Sequence, residues 1–146
     1  MSPVRLSSEP NGAAADAAAI EDQINNYNVL MTGDKDYHPV RIYLRDEHDQ
    51  LRGGITADVW GGWLDIRFLW IEESLRGQGY GGQLLAAAED EGRSHGCKNA
   101  RVSTFSFQAR PFYEGFGYQV VATFEDYPPG HSHFILRKPL SLASVP

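Results

Sequence analysis

Four glycines fall within six positions, Gly77, Gly79, Gly81 and Gly82, in the run Arg76-Gly77-Gln78-Gly79-Tyr80-Gly81-Gly82. An apolar segment ending Leu69-Trp70-Ile71 precedes them, and Leu84, Leu85, Ala88, Gly92 and His95 follow at helical spacing. So many glycines weaken a helix start, so their presence there needs a compensating gain. The first N–H groups of a helix have no acceptor inside it and point outward with the positive end of its dipole. Without side chains in the way, a phosphate oxygen can approach them closely. Arg76 adds a formal positive charge beside the loop. The segment therefore predicts a cradle for a phosphorylated ligand, a diphosphate in particular.

The surrounding pattern supplies a scaffold. Residues 1–12 are polar and form a loose arm, in which Val4–Leu6 could make a short edge strand. Ala13–Asn28 has helical spacing at Ala17, Ile20, Ile24 and Tyr27, and Thr32-Gly33-Asp34 is a breaker cluster. Val40, Ile42 and Leu44 then alternate with Arg41, Tyr43 and Arg45, as in a half-buried strand. Leu51–Trp60 and Trp63–Ile71, joined by Gly61-Gly62, complete an antiparallel meander. After the glycines come a helix closed near Gly96, a strand at Arg101–Phe105 and a short helix at Gln108–Phe116 with Pro111 in its first turn. Tyr118–Phe124 and Phe134–Arg137 are the last strands. The expected fold is α/β, an α+β arrangement around a mixed sheet. Residues 13–140 are expected to form a single domain and 141–146 a tail.

Two familiar phosphate loops do not fit. Gly77-x-Gly79-x-x-Gly82 matches the dinucleotide fingerprint, but Glu72–Arg76 separates it from the strand end, where the first glycine should make the turn. Arg101–Phe105 also lacks the carboxylate that should close the next strand. No Gly-Lys-Ser/Thr occurs, which removes the nucleoside-triphosphate loop. The formal charge of -6 disfavours nonspecific binding to nucleic acid or to an anionic membrane. No apolar run approaches the roughly 20 residues of a membrane span. The N-terminal segment lacks the apolar core of a signal peptide, and Cys97 is the only cysteine. A cytoplasmic setting is therefore expected, without disulfides or a cysteine-based metal site.

Arg76-x-x-Gly79-x-Gly81 resembles the acyl-coenzyme A signature of the GNAT N-acetyltransferase superfamily, and Leu69-Trp70-Ile71 is similar to the end of its fourth strand. Gln108-Ala109-x-x-Phe112-Tyr113-x-x-x-Gly117-Tyr118 resembles its second motif. Together the two cover residues 64–120. Asp126-Tyr127-Pro128-Pro129-Gly130-His131-x-His133 resembles the ending of one branch of small bacterial members. One departure is the stretch before the meander. About 39 residues stand there with one clear helix, where the family usually has a strand and two helices that shape the acceptor pocket.

The resemblance implies acetyl-CoA as co-substrate and direct transfer to an amine, with no metal. The acceptor is expected to be a small molecule, with a peptide or protein amine as the other option. A noncatalytic acyl-CoA-binding module is the competing function. Main-chain groups of Gln78, Gly79, Tyr80, Gly81 and Gly82, with Gly77 and Arg76 beside them, take the diphosphate. Leu69, Trp70 and Ile71 pair with the pantetheine arm, where an N–H also faces the charge developing on the thioester oxygen. Gln108, Phe112 and Tyr113 complete the cofactor side, and Tyr113 protonates the leaving thiolate. A proton acceptor is also needed, because releasing the lone pair of a lysine-like amine at neutral pH costs about 4–5 kcal/mol. Alignment of the strand gives that role to Asp65, which could instead pair with Arg67 on the same face; Glu72 and Glu73 are alternatives. His131 and His133 read as a wall of the acceptor pocket. Trp60, Trp63 and Trp70 read as packing, and a homodimer through a terminal strand is compatible with the pattern.

Overall fold

A computed structural model describes residues 2–140 of the chain. Helix α1 (Ala14–Thr32) runs four residues past the expected end. Val29-Leu30-Met31 contains no breaker, and the helix stops at Gly33, whose N–H reaches the Val29 carbonyl at 2.8 Å. Residues 4–6 form no strand. The chain divides into two compact units, one through Lys35 and one from Asp36 onward. The suggested tail, 141–146, lies outside the described residues.

The second unit holds β1 (His38–Arg45), β2 (Leu51–Trp60), β3 (Trp63–Ile71), a single 3-10 turn (Glu73–Leu75), α2 (Tyr80–Ser94), β4 (Asn99–Phe105), α3 (Arg110–Gly115), β5 (Gln119–Glu125) and β6 (Ser132–Pro139). The strands form one mixed sheet in the order β1-β2-β3-β4-β6-β5. Only β3 and β4 pair in parallel, because α2 lies between them in sequence and carries the chain back across the sheet.

Alternation decides which face is buried. Val40, Ile55, Ala57, Leu64, Ile66, Ala100, Val102 and Leu136 point to one side and meet Leu84, Leu85 and Ala88 of α2. The expected helix face holds except at its end. His95 is exposed and stacks on His38 with ring centroids 3.8 Å apart, while Glu89 is buried in its place. On the opposite face of the sheet, Asp58 pairs with Arg41 and Arg67, and Asp65 with Arg67 and Arg101.

Glu89 is 5% exposed and has partners for its charge. Tyr118 donates its hydroxyl to Oε2 at 2.7 Å, and the Lys138 ammonium lies 3.0 Å from both carboxylate oxygens. Burial and the adjoining carboxylate raise the Tyr118 pKa, so it stays a donor. Removing one member of a buried pair strands the other in low dielectric. Glu89→Ala is expected to lower the unfolding free energy in urea by about 3 kcal/mol. The triple variant Glu89→Leu/Lys138→Met/Tyr118→Phe, which leaves no member of the cluster stranded, should recover most of that loss.

Candidate functional site

The sheet opens between its two parallel strands. β3 and β4 pair only from Trp63 with Asn99 to Ile66 with Val102. Both strands continue, β3 to Ile71 and β4 to Phe105, without that pairing. The opening starts at a bulge. Ala57 pairs with Ile66 and Thr56 with Phe68, which leaves Arg67 as the extra residue of β3. A bulge bends its strand and increases the local twist. Beyond it, Leu69 and Ile71 pack against the core, while Phe68 and Trp70 are exposed.

A cavity of about 900 Å³ fills the opening. Of the residues singled out from sequence, Leu69, Trp70, Ile71, Arg76, Gly77, Gly79, Tyr80, Gly81, Gly82, Gln108, Phe112 and Tyr113 all line it. Gln78 does not; its side-chain amide donates to the Ser74 carbonyl at 3.3 Å. Arg76 sits at the loop with its Nε donating to the Ile71 carbonyl at 2.9 Å, which ties the loop to the end of β3.

The glycines serve two separate physical needs. Gly77 and Gly79 have φ of 74° and 87°, a backbone region that other residues enter only with strain, and nothing lies within 4 Å of where a Cβ would stand. They shape the turn and leave the space above it open. Gly81 and Gly82 instead sit closely under phenylalanine rings. A Cβ on Gly82 would lie 2.7 Å from the Phe116 ring, and one on Gly81 3.3 Å from Phe112. Helix α2 thus begins at Gly79 with no side-chain cap and no acidic residue in its first turn. Its first N–H groups keep their donor capacity for something outside the helix.

Helix α3 brings Tyr113 to the same cavity. Thr104 and Gln108 build the turn before it: the Phe105 N–H donates to Gln108 Oε1 at 2.9 Å, and the Ala109 N–H to Thr104 Oγ1 at 3.2 Å. Gln108 therefore has a structural role as well as its place at the cavity wall. Tyr113 is 5% exposed, between Phe112 and Tyr118. Burial pushes its phenol up to about 12.

Asp65 is not among the residues lining this cavity. It faces Arg101 across the part of the sheet that is still paired, below the bulge. Its carboxylate lies 3.3 Å from Arg67 and 3.6 Å from Arg101, and it borders a separate hollow with Asp58, Trp60 and Trp63. The pairing with Arg67 is the alternative the strand pattern allowed. Glu72 is held by Arg52 and accepts from Ser74 at 3.0 Å, and Glu73 opens the 3-10 turn; neither lines the cavity.

The cavity passes from one face of the sheet to the other. Val102, Thr104, Ala109 and Tyr113 border it on the side of the helices, and Arg67, Phe68, Ser103, Phe105, Phe107 and His133 on the other. Phe68, Phe105 and Phe107 were not singled out from sequence, because lone aromatics carry no motif. In the sequence Leu64, Ile66, Phe68 and Trp70 alternate without a break; the slip is in burial, where Leu64 and Ile66 are followed by Leu69 and Ile71.

Comparison with known proteins gives a consistent result. The family model described as the acetyltransferase (GNAT) family matches residues 9–118. Blasticidin-S acetyltransferase of Streptomyces morookaense is 39% identical over 106 residues, covering 70% of this chain and 78% of that protein. An acetyltransferase of Agrobacterium fabrum is 32% identical over 120 residues, covering 82% of this chain and 88% of that one. The crystal structure of a Bacillus cereus acetyltransferase superposes with a TM-score of 0.79 at 32% identity, covering 91% of this chain and 97% of that chain. With this fold, this glycine loop and these matches, the chain belongs to the GNAT acetyltransferase family.

Proposed function

We propose that the protein transfers the acetyl group of acetyl-CoA directly to an amine of a small molecule. One observation carries this reading. A single cavity joins the uncapped N-terminus of α2, the stretch of β3 that has no β4 partner, and the buried phenol of Tyr113. The residues present fit coenzyme A. The N–H groups from Gly79 to Gly82 offer donors to a diphosphate, and the open turn at Gly77 and Gly79 leaves room for it. Main-chain groups of β3 beyond Ile66 suit the amide-bearing arm.

Acetyl-CoA supplies an acyl group activated as a thioester. The Tyr113 hydroxyl gives its proton to the departing sulfur, and its pKa of about 12 keeps that proton in place at neutral pH. Cys97 is buried and does not line the cavity, which favours direct transfer over a covalent enzyme intermediate. Asp65, outside the cavity and paired with two arginines, has no part in this mechanism.

A small acceptor is supported by the 39% identical relative named for blasticidin S. Phe68, Phe105 and Phe107 along the far side of the opening suit an acceptor with a flat or apolar body beside its amine. Acetyl-CoA and the lone cysteine go with a cytoplasmic site of action. Among the described residues no helix is long and apolar enough to cross a membrane.

The direct test is thiol release from acetyl-CoA across a panel of amines, amino acids, polyamines and peptides. Saturable release with a small amine is expected. Tight acetyl-CoA binding without release in any case would favour the noncatalytic module. Tyr113→Phe should lower kcat about 100-fold while acetyl-CoA affinity, by calorimetry, changes little. In the unmutated protein Tyr113 should cause no loss of rate until the pH approaches 12. Gly79→Val, which puts a branched side chain at a φ of 87°, should weaken acetyl-CoA binding tenfold or more, about 1.4 kcal/mol.

A further inference from the structure

The proton that an ammonium acceptor must lose meets no carboxylate in this cavity. None of the described residues lining it is Asp or Glu. Its ionisable side chains are the cations Arg67 and Arg76, the phenols of Tyr80 and Tyr113, and one imidazole, His133. Imidazole is the side-chain type that exchanges a proton near neutral pH.

His133 also stands on the right side of the sheet. Phe134 and Leu136 of β6 point into the core toward the helices, so His133 projects from the opposite face. It is in register with Phe105 of β4 and Phe124 of β5. Its ring is tilted against Phe105 at 4.6 Å and stacked on Tyr127 at 5.0 Å. These contacts orient the imidazole at the cavity wall. Tyr113 borders the same cavity from the side of α2 and α3.

We propose that His133, at the cavity wall on the face opposite α2 and α3, takes the proton of the acceptor amine. This rests on the acetyltransferase reading above. The nitrogen–carbon bond forms as the carbon–sulfur bond breaks. The ammonium nitrogen gives up two protons in all. His133 takes the first, freeing the lone pair, and passes it to solvent. The second ends on the leaving sulfur by way of the Tyr113 hydroxyl. The titratable or charged groups around His133 are Tyr127, stacked on it, His131, two residues earlier with its ring 5.0 Å from Phe107, and Arg67 on the β3 side of the cavity.

His133→Gln and His133→Phe are the test, with His48→Gln, at an exposed turn away from the cavity, as control. The phenylalanine keeps the aromatic packing but cannot hold a proton. With an alkylamine at pH 7, both His133 variants are expected to lose about 100-fold in kcat/KM, with acetyl-CoA affinity and thermal unfolding unchanged. The deficit should shrink as the pH rises toward the amine's own pKa. It should be small for an arylamine, which is already neutral at pH 7. His48→Gln should resemble the unmutated protein. Undiminished alkylamine turnover in His133→Phe, or a deficit equal for both amine types, would overturn the assignment.

A second measurement needs no variant. Imidazole nitrogen NMR of the unmutated protein should show the His133 resonances shifting when the alkylamine is added, and no shift would count against the proposal. If the unmutated protein releases no thiol with any amine, the acetyltransferase reading itself fails. Turnover that survives His133 substitution removes only the role given to His133.

Discussion

The site depends on the parallel pairing of β3 and β4 stopping after four residue pairs. A fully zipped pair would close the sheet between α2 and the opposite face, and no cavity could cross it. Two local features shape β3 where the pairing ends. The bulge at Arg67 bends β3 where the opening starts. Beyond it, β3 stays paired with β2 along its other edge, where β2 carries Gly53 and Gly54 opposite Ile71 and Trp70. A Cβ on Gly53 would lie 2.8 Å from the Trp70 carbonyl oxygen, so a side chain there would push the end of β3 away from β2. Residues outside the glycine loop thus shape the strand end that the loop faces.

The opening also separates the two proposed proton-handling jobs by sheet face. Tyr113 reaches the cavity from the helical side, where burial keeps its phenol protonated. His133 reaches it from the other side, among aromatic rings. A reaction that delivers a proton to sulfur while removing one from nitrogen benefits from such separation, because the two groups then do not neutralise each other. The carboxylates of that second face are already engaged. Asp58 and Asp65 are paired with Arg41, Arg67 and Arg101, and these pairs hold the charged side of the sheet together below the opening.

Much of this was legible in the sequence. Strand alternation gave β1 to β3 because one face of each is buried and the other polar, which makes period two easy to see. The loop and second motif stood out because their glycines, Phe112 and Tyr113 fall at fixed spacings. What was hard to read depends on register across strands. Asp65 was placed by alignment along β3 alone, whereas its surroundings are set by Arg101 of β4, 36 positions later. The bulge at Arg67 left no mark either, because Leu64, Ile66, Phe68 and Trp70 keep a regular alternation across it. Glu89 escaped notice for the same reason as Asp65: its partners, Tyr118 and Lys138, are remote in the chain. The end of α1 was missed because a weakly patterned apolar run gives no stop before Gly33.

The Glu89 cluster bears on Tyr113 as well as on stability. A buried ion pair is seldom more stable than apolar side chains of equal volume, so its presence points to a positional role. Glu89 belongs to α2, Lys138 to β6, and Tyr118 to the exit from α3. Their shared contacts tie these three elements together. The Tyr118 ring meets Tyr113 edge-on at 5.7 Å, and the Tyr118 N–H donates to the Tyr113 carbonyl at 3.1 Å. The cluster therefore fixes the end of α3 relative to α2, and with it the position of the Tyr113 phenol relative to the glycine-lined helix start. Apolar replacements of similar volume could hold the fold, but they would lack the directional bonds that set this distance.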